Sequence, residues 1–137
     1  ILKTGRPISI ERNGDAIIFA TGSMLYYAHQ AWKSLSKNRI KISLFSVPFI
    51  KPIDTAYLKK LLKDKKIIFT IEEHSKIGGL GTAISELVAE ENLKVSVIRM
   101  GTEDKFVHLV GSRDYLLSQH NLSVKQITTQ IKAKLKK

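Results

Sequence analysis

Two short polar stretches carry the side chains able to do chemistry. One is Glu72-Glu73-His74-Ser75, followed at once by Lys76-Ile77-Gly78-Gly79-Leu80-Gly81-Thr82; the other is Thr21-Gly22-Ser23. A carboxylate beside an imidazole is the material of an acid–base pair. Two acids and a histidine also resemble a metal set, and a Gly-rich turn opening a helix offers backbone amides to an anion. Spacing weighs against most of these readings. On an extended chain Glu72 and His74 point to one side and Glu73 to the other, so three consecutive residues cannot converge on one ion. His29, His108 and His120 lack the spacing of further ligands, and no metal ligand is assigned. Gly79-Leu80-Gly81 is half of a dinucleotide fingerprint, but Ile84 stands at the third glycine, and Arg99 and Met100 stand where an acid would meet a ribose. No lysine followed by Ser or Thr comes after the glycines, which excludes a P-loop. Ser23 lacks the second glycine of a nucleophile elbow and reads as a helix N-cap. What remains is a candidate anion or interface crevice formed by Thr21, Gly22, Ser23, Glu72, Glu73, His74, Ser75, Gly78, Gly79 and Gly81. The glycines serve equally well as a tight turn and a close helix contact. No residue is assigned as catalytic.

These stretches need elements to hold them. Ala16-Ile-Ile-Phe-Ala20 is a continuous apolar run and reads as a buried strand, followed by a helix with Leu25, Ala28, Ala31, Trp32 and Leu35 on one face. Residues 40–47 form a second strand ending at Pro48, and Asp54 caps a helix burying Leu58, Leu61 and Leu62. Residues 67–71 are a third strand. Leu80, Ala83, Ile84, Leu87 and Val88 then make a helical stripe, and residues 95–98 a fourth strand. Residues 101–111 read as a loop. Ser112 caps a short helix carrying Tyr115 and Leu116, and Ser123 with Gln126 makes a capping box for a last helix burying Val124, Ile127, Ile131 and Leu135. Successive strand–helix–strand steps imply a parallel sheet covered by helices on both faces. Pro7-Ile-Ser-Ile10 is a further, edge strand, and Asn13-Gly14 would suit a tight hairpin turn joining it to residues 16–20. Ligands of such sheets bind beyond the carboxyl ends of the strands where strand order reverses, which is where both polar stretches fall.

Composition bounds the rest. The 137 residues have 43% hydrophobic and 26% charged side chains, with no repeat, linker or low-complexity stretch, so one domain accommodates them. There is no cysteine, which excludes disulfides, thiolate metal sites and cysteine catalysis. No apolar run reaches the roughly 20 residues of a membrane span. The net charge of +11 is uneven. Residues 33–66 hold ten bases against Asp54 and Asp64, whereas residues 67–104 hold seven acids against Lys76, Lys94 and Arg99. Clustered bases invite a nucleic-acid reading. Yet only five of the 23 are arginine, and no basic run is interleaved with aromatics that would stack on bases, so the lysines are read as solvated helix faces. The chain begins at Ile1 without an apolar signal core and is expected to be part of something longer.

Gly14-Asp-Ala-Ile-Ile-Phe-Ala-Thr-Gly-Ser23, Ser46-Val-Pro-Phe-Ile-Lys-Pro-Ile-Asp54 and Ile71-Glu-Glu-His-Ser-Lys-Ile-Gly-Gly-Leu-Gly-Thr-Ala83 occur in this order. Together they resemble the C-terminal domain of transketolase and its thiamine-diphosphate relatives, over nearly the whole chain. Gly101-Thr-Glu-Asp-Lys-Phe106 and Gly111-Ser-Arg-Asp-Tyr-Leu-Leu117 resemble the closing loop and helix of that family, with Phe106-Val107-His108-Leu109 departing from its usual Phe-Gly. His74 favours transketolase over the 2-oxoacid dehydrogenase β subunits, and Gly22-Ser23-Met24 is similar to deoxyxylulose-phosphate synthase. The resemblance implies a three-layer α/β/α fold with a five-stranded mixed sheet in the order 1-3-2-4-5, strand 1 antiparallel. That order puts residues 7–10 beside the strand at 40–47, against the hairpin, and it is the order expected here.

The resemblance also implies a function. Residues 1–137 would be a single C-terminal structural and assembly domain of a transketolase that moves a two-carbon ketol unit between sugar phosphates. Thiamine diphosphate and Mg²⁺ would be held by other domains, and this chain would bind no cofactor and be inactive alone. The expected partners are the pyrimidine-binding domain and a homodimer partner, in the cytoplasm, with no nucleic acid and no membrane. Other readings are the equivalent domain of deoxyxylulose-phosphate synthase or of a 2-oxoacid dehydrogenase β subunit, and an independent doubly wound module binding a phosphorylated ligand at Gly78–Gly81.

Overall fold

A computed structural model describes residues 3–104, 106 and 108–136. Val107, within the departure from the family loop, and Lys105 and Lys137, in the closing loop and the basic tail, lie outside the described residues. The strands are β1 (Ile8–Glu11), β2 (Ala16–Ala20), β3 (Ile42–Ser46), β4 (Ile67–Ser75) and β5 (Ser96–Thr102). The helices are α1 (Met24–Lys37), α2 (Thr55–Leu62), α3 (Leu80–Glu90), α4 (Arg113–Gln119) and α5 (Val124–Leu135). The sheet order is β1-β3-β2-β4-β5, with β1 antiparallel to β3 and the other pairings parallel, which is the expected order.

Alternation along the central strands builds two cores. Ile18 and Ala20 of β2, Ile42 and Leu44 of β3, and Phe69 and Ile71 of β4 face one way, against Ala28, Ala31 and Leu35 of α1 and Ile127 and Ile131 of α5. Ile17 and Phe19, Phe45, and Ile68 face the other way, against Leu58 and Leu62 of α2 and Leu80, Ile84 and Leu87 of α3. All five residues of β2 are buried, as a strand covered on both faces requires. Trp32 is only partly buried, on the α1 side, and its indole N–H donates to the Ile42 carbonyl at 2.7 Å.

The capping readings at Asp54, Ser112 and Ser123 are realised, each side chain accepting from a backbone N–H three residues on. In α4 the buried side chain is Leu117, while Tyr115 remains exposed. The hairpin signal at Asn13-Gly14 is overruled. β3 lies between β1 and β2, and the Asn13 N–H donates to Ser43 Oγ at 3.1 Å instead of closing a two-strand turn. β2 is hydrogen-bonded on both edges, to β3 and β4, and β1 takes the edge position beside β3. Strands β4 and β5 both run further than the periodicity indicated, to Ser75 and Thr102, and so carry the polar residues of the Glu72 stretch into the sheet itself. No helix among the described residues is long and apolar enough to cross a membrane.

Candidate functional site

β2 and β4 are parallel neighbours, so Thr21–Ser23 and Glu72–Ser75 leave the sheet side by side. Thr21 is the hinge between them. Its N–H donates to the Ile71 carbonyl at 3.2 Å, and its hydroxyl donates to the Val47 carbonyl at 2.8 Å. The expected crevice is there, but β4 divides it into two halves of opposite character, because its side chains alternate.

On the α3 side, Glu72 is 1% exposed. Its carboxylate accepts from the Leu80 N–H and the Gly81 N–H, both at 2.7 Å. Those are the first amides of α3, the unpaired donors that make a helix N-terminus attractive to anions. The anion seated on the Gly-rich turn is therefore the protein's own carboxylate, and a phosphate at Leu80 and Gly81 would have to displace it. The glycines are explained by the same contact. A Cβ on Gly79 would fall inside the Glu72 carboxylate and 2.9 Å from His74 Nδ1, and one on Gly81 would lie 2.8 Å from both Thr70 Oγ1 and Arg99 Cγ. Gly78, at φ +79°, makes the turn. Thr82 Oγ1 ties this loop together, accepting from the Gly78 N–H and donating to the Lys76 carbonyl, both at 3.0 Å. His74 is exposed, its Nδ1 lying 2.8 Å from the Ser75 carbonyl. Ser75 Oγ accepts from the Ile77 N–H.

On the opposite side Glu73 is exposed and meets different partners. Ser23 Oγ donates to its Oε2 at 2.7 Å, and Arg113 of α4 bonds both carboxylate oxygens, at 2.5 and 3.3 Å. The Arg113 guanidinium also lies over the Tyr27 ring, 5.2 Å from its centroid, and the Tyr27 hydroxyl donates to Asp114 at 2.5 Å. The Arg113 bonds, seconded by the Ser23 hydroxyl, hold the Glu73 carboxyl below its usual pKa against the opposing effect of burial. The Arg113 pKa is raised in turn by Glu73. The Tyr27 hydroxyl is pushed up, first by its bond to Asp114 and then by burial.

The electrostatics decide what this half can do. A carboxylate neutralised by Arg113 and depressed in pKa is a poor general base, so its bond to the Ser23 hydroxyl does not activate a nucleophile. Ser23 also departs from its expected role. It precedes α1 but makes no side-chain cap bond, its hydroxyl being spent on Glu73. Among the described residues no three His, Asp or Glu side chains converge on a possible ion. Arg113, Tyr27 and Asp114 were absent from the candidates. The available signal was the Arg-Asp pair opening a capped helix, but nothing local says that the helix folds back to β4, 40 residues away.

Residues 8–127 match the family model described as transketolase, C-terminal domain. The chain is 34% identical over 131 residues to a 1-deoxy-D-xylulose-5-phosphate synthase of Chlorobium luteolum, covering 96% of this chain and 21% of that protein. It is 30% identical over 118 residues to one subunit of the apulose-4-phosphate transketolase of Actinobacillus succinogenes, covering 86% and 38% respectively. Among solved structures, a split-gene transketolase described as an inactive beta4 tetramer matches with a TM-score of 0.85 at 29% identity, over 96% of this chain and 43% of that one. The chain thus spans between about a fifth and somewhat under half of the length of these relatives.

Proposed function

The chain belongs to the transketolase C-terminal domain family, and from that premise we propose that it is the assembly domain of a thiamine-diphosphate enzyme moving a two-carbon ketol unit between sugar phosphates. In this reading residues 1–137 form one domain of a larger cytoplasmic enzyme, packed on a pyrimidine-binding domain and contributing to a homodimer. The observation that carries it is the wiring of the family's most specific stretch. Glu72 saturates the α3 N-terminus and Glu73 is neutralised by Arg113, so both acids serve architecture. The described residues do not fit thiamine diphosphate or Mg²⁺: the amides that would cradle a diphosphate are engaged by Glu72, and no acidic set converges on a cation. The cofactor would then be held by the adjoining domains, and no step of the reaction is assigned to this chain.

The face offered to those domains would be the one Arg113 organises. Next to α4, the segment after β5 exposes Phe106 and Val110 at 90% and 98%, an unusual presentation of large apolar side chains. With Tyr115, Thr21–Ser23 and Glu73, they would form the contact. Relatedness to the Chlorobium luteolum synthase supports a second reading, in which the parent builds 1-deoxy-D-xylulose 5-phosphate.

The parent enzyme, assayed with and without residues 1–137, tests both. Loss of ketol transfer from a ketose phosphate to an aldose phosphate on deletion is the expected result, with no turnover by the 137-residue chain alone. Formation of 1-deoxy-D-xylulose 5-phosphate by the intact parent would select the synthase reading. Undiminished activity of the deleted parent would refute the assembly role.

A further inference from the structure

β1 and β5 are the edges of the sheet, and they are built differently. An open strand edge presents backbone donors and acceptors that template pairing with another chain, and native proteins blunt it with short strands, bulges or charges. β1 is blunted: it has 4 residues, and its register with β3 breaks between Ser9 and Glu11. β5 has 7 residues and runs in unbroken register with β4 from Ser96 to Ile98 and on to Met100.

The ladder fixes which groups of β5 point outward. The Ser96 N–H donates to the Lys66 carbonyl at 2.9 Å, and the Thr102 carbonyl accepts from the Lys76 N–H at 3.0 Å. Alternate residues of a strand turn their backbone groups to the same neighbour. Ser96, Ile98, Met100 and Thr102 therefore bond to β4, and Val97, Arg99 and Gly101 face away. Gly101 is buried, which leaves Val97 to Arg99 as the open stretch. Among the described residues nothing bonds the outward N–H and carbonyl groups of Val97 and Arg99. The charge on this stretch does not guard it. Arg99 turns across the α3 face of the sheet, where its Nη1 donates to the Lys76 carbonyl at 3.0 Å and its Cγ would lie 2.8 Å from a Cβ on Gly81.

We propose that this edge pairs antiparallel with the same edge of a second copy of the chain, about a two-fold axis beside Ile98. Self-complementarity identifies the occupant. Centred there, Val97 of each copy exchanges N–H···O=C bonds with Arg99 of the other, so every open group of the stretch is used, and Ile98 meets its own copy. The charges agree with this register. Each Arg99 stands opposite an apolar Val97, whereas an axis at Arg99 would set like charges directly opposite one another. The pairing gives the homodimer contact of the assembly reading a surface, and the two fail separately: the deletion assay reads ketol transfer, and association of this chain alone reads the edge.

Sedimentation of the 137-residue chain up to millimolar concentration tests it, with amide hydrogen exchange followed alongside. The expected result is a reversible monomer–dimer equilibrium in which the Val97 and Arg99 amides become protected as the dimer forms, while Ile98 and Met100 are protected throughout. Val97→Pro removes only an outward N–H and should weaken association about tenfold or more. If that variant does not fold, the exchange pattern of the native chain decides by itself. Phe106→Ser, in the exposed segment after β5, should leave the dimer intact. A chain that stays monomeric, a dimer abolished by Phe106→Ser, undiminished association of folded Val97→Pro, or Val97 and Arg99 amides that exchange in the dimer as freely as in the monomer would overturn the pairing.

Discussion

Glu72 and Glu73 are adjacent, chemically alike and at the end of the same strand, yet they do opposite things. Glu72 is buried and bonded only to backbone amides, at the positive end of α3. Glu73 is exposed and bonded to side chains, Ser23 and Arg113, from two other helical segments. The first joins a helix to the strand that precedes it and is shielded from solvent. The second joins parts of the chain 50 and 40 residues apart through long, hydrated side chains. A buried carboxylate with fixed dipoles around it is a permanent part of the fold, whereas an exposed ion pair is a contact that salt and pH adjust. The half of the crevice that looked most like a ligand site is thus the more rigid, and the half that remains adjustable faces outward.

The strongest way to break this contrast is Gly79→Val. The new side chain overlaps the Glu72 carboxylate and leaves nowhere for it to go, so a loss of about 3 kcal/mol or more is expected in denaturant unfolding. Glu72→Gln comes next. An amide cannot accept from both Leu80 and Gly81 with its nitrogen facing one of them, and about 2 kcal/mol should be lost in the same measurement. Stability unchanged by Glu72→Gln would mean that the α3 N-terminus is not held as described.

Arg113→Gln should shift the unfolding midpoint several-fold less than Glu72→Gln, and the small effect should fade as salt is raised. Its clearer signature is local: slower-exchanging amides in α4 should become faster, with β4 unaffected. Acid sharpens the comparison further. Because folding lowers the Glu73 pKa, its contribution is present at neutral pH and disappears as pH falls below the usual carboxyl value of 4.5 and through the folded pKa. A side-chain carboxyl titration by NMR should therefore show Glu73 titrating below 4.5 in the native chain and moving upward in Arg113→Gln. An unmoved titration would show that Arg113 does not set it.

Much of the architecture was legible because it is local. The all-apolar run 16–20, the stripe from Leu80 to Val88, and the caps at Asp54, Ser112 and Ser123 each declare an element within one or two turns of chain. The candidate residues were legible too, since polar groups at strand exits stand out against buried strands. Their division of labour was visible only as alternation: Glu72 and His74 on one side, Glu73 on the other. Where local signals were ambiguous they misled. Asn13-Gly14 has the composition of a hairpin turn, but pairing across the sheet overruled it, and Ser23 has the type of an N-cap but gives its hydroxyl to Glu73.

The sequence by itself determined the order of strands and helices, the two apolar faces of each central strand, and membership in the transketolase C-terminal domain family, because periodicity and motif spacing are properties of neighbouring residues. Tertiary structure decided that the anion on the Gly-rich turn is Glu72 and that Arg113 returns to neutralise Glu73. Those pairings join residues 8 to 40 positions apart. What selects them is which polar groups the packed layers leave unsatisfied at each strand end, a condition that exists only once the layers have assembled.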